Sequence, residues 1–142
     1  MTISAILERK GRDVLSIDSG ASVREAVALL AERRIGAVPV IEEGQVAGIF
    51  SERDAIYHLS SHGAAMLERR VGEVMTSPAI TIEPHVPALA ALSQMTRRRI
   101  RHLPVVEAGT LIGIVSIGDL VAYRINRIEE EAEAMRAYIQ SA

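Results

Sequence analysis

Ala37-Val38-Pro39-Val40-Ile41-Glu42 recurs as His102-Leu103-Pro104-Val105-Val106-Glu107, an apolar run with proline in third place, 65 residues further along the chain. The same offset carries Gly44 onto Gly109, Gly48 onto Gly113, Ile49 onto Ile114, Ser51 onto Ser116 and Asp54 onto Asp119. Upstream it carries Leu15-Ser16-Ile17-Asp18 onto Ile80-Thr81-Ile82-Glu83, and Ala26-Val27 onto Ala91-Leu92. One fixed offset held over so many positions is an internal duplication, and the duplication governs every later assignment.

Each copy reads strand, helix, strand, strand, helix. Val14 to Ile17 is a short strand-forming run, and Ser22-Val23-Arg24-Glu25 is a capping box that starts a helix lasting to about Arg33. Ala37 to Ile41 and Val46 to Phe50 then flank the glycine-containing connection Glu42-Glu43-Gly44-Gln45, the signature of a hairpin. A second helix is predicted from about Ser51 to His62, with Gly63 as its stop. The second copy repeats the order from Ala79, with Pro87 in the first turn of its helix, where proline is tolerated. A unit of this size buries too little surface alone. The expected fold is therefore α/β of the α+β type, two pseudo-symmetric β-α-β-β-α units packed sheet to sheet. Residues 1–70 are assigned to the first unit with its leading segment and connector, 71–123 to the second, and 124–142 to a long C-terminal helical extension.

After Asp119 the helix signal does not stop, and Val121, Ile125, Ile128, Ala132, Met135 and Ile139 fall at alternating steps of four and three, a helical seam. Glu129, Glu130, Glu131 and Glu133 lie largely off the stripe, as on a solvated flank. The helix either folds back on its own module or meets a second subunit, and a seam of nearly three heptads favours the subunit contact.

The 142 residues include 18 acidic and 16 basic side chains, a net charge of −2, with 49% hydrophobic and 3% aromatic residues and neither cysteine nor tryptophan. The apolar content suits a closed core. The lack of cysteine excludes disulfides, thiolate metal sites and thiol nucleophiles, and fits a reducing cytoplasm. The longest apolar runs, Ala26 to Ala31 and Val86 to Leu92, are far too short to span a membrane. Four aromatic residues cannot build a base-stacking platform, and the negative net charge opposes nucleic-acid binding, with only the cluster Arg97-Arg98-Arg99 and Arg101 in its favour. Lys10 is the only lysine and no glycine-rich stretch precedes it, so a phosphate-binding P-loop is excluded. His58 and His62 are four apart on a predicted helix, but no further ligand accompanies them, and histidine suits a last helical turn in any case. No nucleophile motif or metal motif is present, so the chain reads as non-catalytic.

The pairs Ser51 with Asp54 and Ser116 with Asp119 are the most informative polar feature. A serine followed three residues later by an acid at a strand-to-helix turn is a helix cap. The box at Ser22 and Glu25, however, becomes Pro87 and Ala90 in the second copy, whereas the serine and aspartate survive in both. One carboxylate can accept from both hydroxyls of a ribose, while the serine and the exposed amides of the helix start face a phosphate. Capping and binding are compatible. Arg101 and His102 precede a strand at the mouth of the cleft, where a guanidinium and an imidazole suit a phosphate. Their first-unit counterparts, Gly36 and Ala37, carry no charge, so the two clefts are not equivalent.

In these residues the chain resembles a tandem pair of cystathionine-β-synthase (CBS) domains, a Bateman module, over roughly Thr2 to Tyr123. The resemblance is carried by Ile35-Gly36-Ala37-Val38-Pro39-Val40-Ile41, Gly48-Ile49-Phe50-Ser51 and Asp54, and by Ile100-Arg101-His102-Leu103-Pro104-Val105-Val106, Gly113-Ile114-Val115-Ser116 and Asp119. It implies a regulatory module, commonly dimeric, that needs no cofactor for catalysis and binds AMP, ADP, ATP, NAD(H) or S-adenosylmethionine in clefts between its units. By the same resemblance Asp54 and Asp119 take the ribose. Ser51, Ser116, Arg101 and His102 face phosphate, and Arg53 is a substitute cation. The base lies against Ser16, Ile17, Ala37, Val38, Thr81, Ile82 and Leu103. Such modules usually control an enzyme or transporter, here a separate one. The alternative is a ligand-free, stress-type interaction dimer that acts through its C-terminal helix.

Overall fold

The computed structural model describes residues 1–11 and 13–141. The leading helix α1 (Ile3–Lys10) is followed by β1 (Ile17–Asp18), α2 (Val23–Arg33), β2 (Ala37–Glu42), β3 (Gln45–Ser51) and α3 (Glu52–His62). A 3-10 turn (Gly63–Glu68) and the short α4 (Val71–Val74) lead into α5 (Ala88–Arg98), β4 (His102–Glu107), β5 (Thr110–Ser116) and α6 (Ile117–Ser141). No helix among the described residues is long and apolar enough to cross a membrane.

The two hairpins are copies down to their register. Pro39 faces Ile49 and Pro104 faces Ile114, and each ladder slips once, between Val40 and Ile41 and between Val105 and Val106. Both turns place two consecutive residues in the left-handed region, Glu43 with Gly44 and Ala108 with Gly109. That is the type I′ geometry whose twist matches the strands it joins. β1 pairs parallel with β2, Ile17 opposite Val40. Its counterpart in the second copy shrinks to a single parallel bridge, Ile82 to Val105. The capping box of α2 forms as predicted, the Ser22 hydroxyl accepting from Glu25 N. The matching helix α5 starts at Pro87 with no side-chain cap.

Two apolar cores form, and the leading segments are exchanged between them. The first core joins Val23, Ala26, Leu30, Val38, Val40 and Phe50 with Met66 of the 3-10 turn and Val71 and Val74 of α4, which leads the second unit. The second joins Ile82, Ala88, Ala91, Met95, Leu103, Val105, Val115 and Leu120 with Ile3, Ile6 and Leu7 of α1. The helical spacing of those three residues turns one face of α1 inward. Backbone bonds from Ala88 N to Met1 O (3.0 Å) and from Ile3 N to Val86 O (2.9 Å) hold it there.

The repeated glycines mark where each leading segment crosses a strand. A Cβ at Gly113 would lie 2.8 Å from Leu7 Cδ2, and one at Gly48 would lie 2.6 Å from the Thr76 carbonyl oxygen. Glycine is required at both because a backbone or a packed side chain already fills the space.

α6 continues the second unit without a break for 25 residues. Leu120 is buried and Tyr123 packs against the second core. Beyond them the predicted seam faces outward, with Ile125 and Ile128 each 49% exposed and Met135 59%. Within one chain the helix does not fold back over this stripe.

Candidate functional site

A cavity of about 240 Å³ opens between the two units. The first unit contributes Gly36 and Ile49 and, from the start of α3, Ser51, Glu52, Arg53 and Asp54. The connector contributes Thr76, Pro78, Ala79 and Ile80, and the end of α5 with the start of β4 contributes Arg99, Ile100, Arg101 and His102. One wall is thus aliphatic and the rim is largely cationic, with Asp54 and Glu52 as its acids.

Asp54 is held by local geometry. Its Oδ2 accepts from Ser51 N (2.9 Å) and from the Ser51 hydroxyl (3.1 Å), and its own N donates back to Ser51 Oγ (3.3 Å). Its Oδ1 accepts from the Thr76 hydroxyl at 2.8 Å. The connector is laced to β3 by reciprocal backbone bonds between Thr76 and Ile49, 2.8 and 2.9 Å. Each carboxylate oxygen offers two acceptor positions, so Asp54 keeps capacity for a further donor.

Gly36 gives His102 its place. A Cβ on Gly36 would lie 3.4 Å from the imidazole Cε1 and Nε2, so the missing side chain leaves room for the ring. Burial, and then the charges of Arg101 and Lys10, hold the His102 pKa below its ordinary 6.5, which keeps the ring largely neutral at pH 7. An unfolded chain therefore takes up this proton at higher pH than the folded one. The stability contributed by neutral His102 is present above pH 6.5 and is lost as pH falls below it.

The second aspartate repeats the cap but not the surroundings. Asp119 Oδ2 accepts from Ser116 N (2.8 Å), and Asp119 N donates to Ser116 Oγ (3.1 Å). The same Oδ2 accepts from Lys10 Nζ at 2.8 Å. Burial pushes this carboxyl up, but the hydrogen bonds from Lys10 and Ser116 outweigh it and leave the pKa below the ordinary value.

Of the residues singled out in the sequence, Ser51, Arg53, Asp54, Arg101 and His102 meet in one cavity, whereas Ser116 and Asp119 stand at the pseudo-equivalent place outside it. None of the residues expected to flank a base lines this cavity. Ala37, Val38, Ile82 and Leu103 are core residues, from 0 to 6% exposed, because the strands that carry them are packed on helices. Ile17 is half-buried against β2, and Ser16 and Thr81 are exposed. The aliphatic wall is instead Ile49, Pro78, Ile80 and Ile100. Thr76, Arg99 and Gly36 also belong to the site without having been read as such. Ile80 is the repeat partner of Leu15 and Ile100 of Ile35, so the duplication held the signal. His58 and His62 stack on α3, ring centroids 5.8 Å apart. No cluster of three or more potential metal ligands occurs among the described residues.

Comparison with known proteins agrees with this architecture. The CBS domain profile matches residues 6–61 and again 71–126. The CBS domain-containing protein CBSX3, mitochondrial, of Arabidopsis thaliana is 34% identical, over 98% of this chain and 72% of the relative. The crystal structure of the CBS-domain containing protein ATU1752 from Agrobacterium tumefaciens superposes with a TM-score of 0.82 at 39% identity, covering 87% of this chain and 99% of that one. At 23% identity, the CBS domain pair of protein MJ0100 in complex with 5-methylthioadenosine and S-adenosyl-L-methionine shares the fold, with a TM-score of 0.79 over 89% of this chain and 98% of that one. Two matched hairpins, two capped aspartates and a cavity between the copies are what a duplicated unit of this kind produces, and the chain belongs to the CBS domain family as a tandem pair.

Proposed function

We propose that this CBS pair is a non-catalytic regulatory module that binds an adenosine-containing ligand in the cavity between its units. The observation that carries the reading is that cavity's composition, a half-buried carboxylate from one copy opposite an imidazole and guanidinium groups from the other, with aliphatic side chains between. Asp54 accepts from the ribose hydroxyls, one in the free position on Oδ1 and the other where the Ser51 hydroxyl turns away from Oδ2. Arg53, Arg101, His102 and the start of α3 meet phosphate, and Ile49, Ile80 and Ile100 bracket the adenine. The cationic rim favours AMP, ADP, ATP or NAD(H) over the positively charged S-adenosylmethionine. The fold itself accommodates adenosine compounds, as in protein MJ0100. A ligand touching both units favours the arrangement in which they are closest, and so shifts the state offered to a separate enzyme or transporter in the cytoplasm.

A thermal-shift series with AMP, ADP, ATP, NAD, NADH and S-adenosylmethionine tests this at pH 7.5 and 6.0. A phosphate-bearing ligand at about 100 times its dissociation constant raises stability by about 2.7 kcal/mol. The phosphate raises the depressed pKa of His102, so binding takes up a proton and the stabilisation is larger at pH 6.0. No shift with any of the six compounds refutes the proposal.

The outward stripe of α6 supports a second statement, that two copies pair along it as a homodimer. Val121, Ile125, Ile128, Met135 and Ile139 are between 43 and 65% exposed in one chain, an apolar surface of the kind that a helical partner covers. A chain ending at Tyr123 is expected to halve in mass by light scattering. An unaltered mass assigns the subunit contact elsewhere.

A further inference from the structure

The two repeated aspartates meet different partners. Asp54 Oδ1 accepts from the neutral Thr76 hydroxyl beside the open cavity. Asp119 Oδ2 accepts from an ammonium, Lys10 Nζ, which also donates to the Ile114 carbonyl, both at 2.8 Å. Lys10 is the single lysine of the chain, and the 65-residue offset pairs it with Met75. The cation therefore belongs to one copy only.

Its position is built rather than incidental. Lys10 lies three residues after Leu7 on α1, hence on the same face, and Leu7 is wedged over Gly113 of β5. Ile3 and Ile6 sink the same helix into the second core. That packing delivers the amine to the junction of β5 and α6, where Ile114 and Asp119 lie on either side of Ser116. Two of its three donors are committed there.

We infer that Lys10 is an internal ligand of Asp119, its ammonium held on Oδ2 at the place where a ribose would approach, and that it leaves the chain with one open cleft, that of Asp54. The inference rests on the adenosine reading of the repeated aspartates. A ribose at Asp54 meets a neutral hydroxyl beside an open cavity, whereas a ribose at Asp119 meets Oδ2 filled by Ser116 N and a twice-bonded ammonium, with Oδ1 left beside that cation. With side chains 38% and 26% exposed, the pair is accessible enough to be broken, so it sets a threshold for the second cleft.

Calorimetric titration of the full chain with AMP, ATP and S-adenosylmethionine, in wild type and Lys10→Met, tests it. Methionine is what the other copy carries and is a good helix former. Wild type is expected to bind one ligand per chain and Lys10→Met two, the added site being lost again in Lys10→Met with Asp119→Asn. A Lys10→Met chain that gains no site overturns the inference, as does a wild type that already binds two. A wild type that binds none while Lys10→Met binds one refutes Asp54 as the ligand site and supports the Lys10 contact. No binding in either refutes both. Independently of any ligand, Asp119→Asn removes the carboxylate that holds the Lys10 ammonium, and acylation of the lone lysine by an N-hydroxysuccinimide ester is expected to be faster than in wild type. Equal rates overturn the contact itself.

Discussion

If the cavity binds an adenosine ligand as proposed, Asp54→Ala is expected to raise its dissociation constant about 100-fold in calorimetric titration. A hydrogen bond to a charged acceptor contributes about 1.5–3 kcal/mol, and a ribose presents two hydroxyls to this carboxylate. Part of that is offset by water in the truncated site, so a net loss of about 2.7 kcal/mol, two orders of magnitude, is expected. The substitution also removes half of a capping box, because Asp54 Oδ2 accepts from Ser51 N. That costs about 1 kcal/mol of stability whether or not ligand is present. The two losses separate in the measurement, the first appearing only in the titration and the second in the melting point of the free protein. An affinity within threefold of wild type removes Asp54 from the site.

Phe50→Ala lowers unfolding free energy by about 3–5 kcal/mol, the range for deleting a buried aromatic ring. Phe50 is the chain's single phenylalanine and is wholly buried. It stands opposite Val38 in the first hairpin and touches the core that the connector completes. Its repeat partner is Val115, so the second core is built without an aromatic ring at this position. For a protein of this size the melting midpoint falls by about 10–20 °C. Phe50→Leu leaves a smaller cavity and should lose less than half as much. Chemical denaturation decides the matter, and a loss below about 1 kcal/mol for Phe50→Ala would mean that the first core closes over the gap.

The duplication, the hairpins and the caps of α2 and α3 were legible because each depends on neighbours in sequence. Ser22 with Glu25, Ser51 with Asp54 and the Gly44 turn are local rules with local consequences. The aliphatic wall of the cavity was not legible. Ile80 and Ile82 have the same parity, and only the pairing of Ile82 with β4, through Ile82 N to Pro104 O and Val106 N to Ile82 O, sends one into the core while the other borders the cavity. The exchange of leading segments escapes as well, since nothing in Ile3, Ile6 and Leu7 names the copy that will bury them. Lys10 is the sharpest case. In the sequence it served only to exclude a P-loop, and its partner lies 109 residues away.

The exchanged leading helices also bear on how the protein is made. The first core draws on buried residues no later than Val74 and can close soon after they emerge, whereas Ile3, Ile6 and Leu7 precede it in the chain and share a core with Leu120. Domains generally fold as units during synthesis, N-terminal part first. Here the apolar face of α1 waits for Leu120, so a growing chain carries that helix unpaired ahead of a half that can already close.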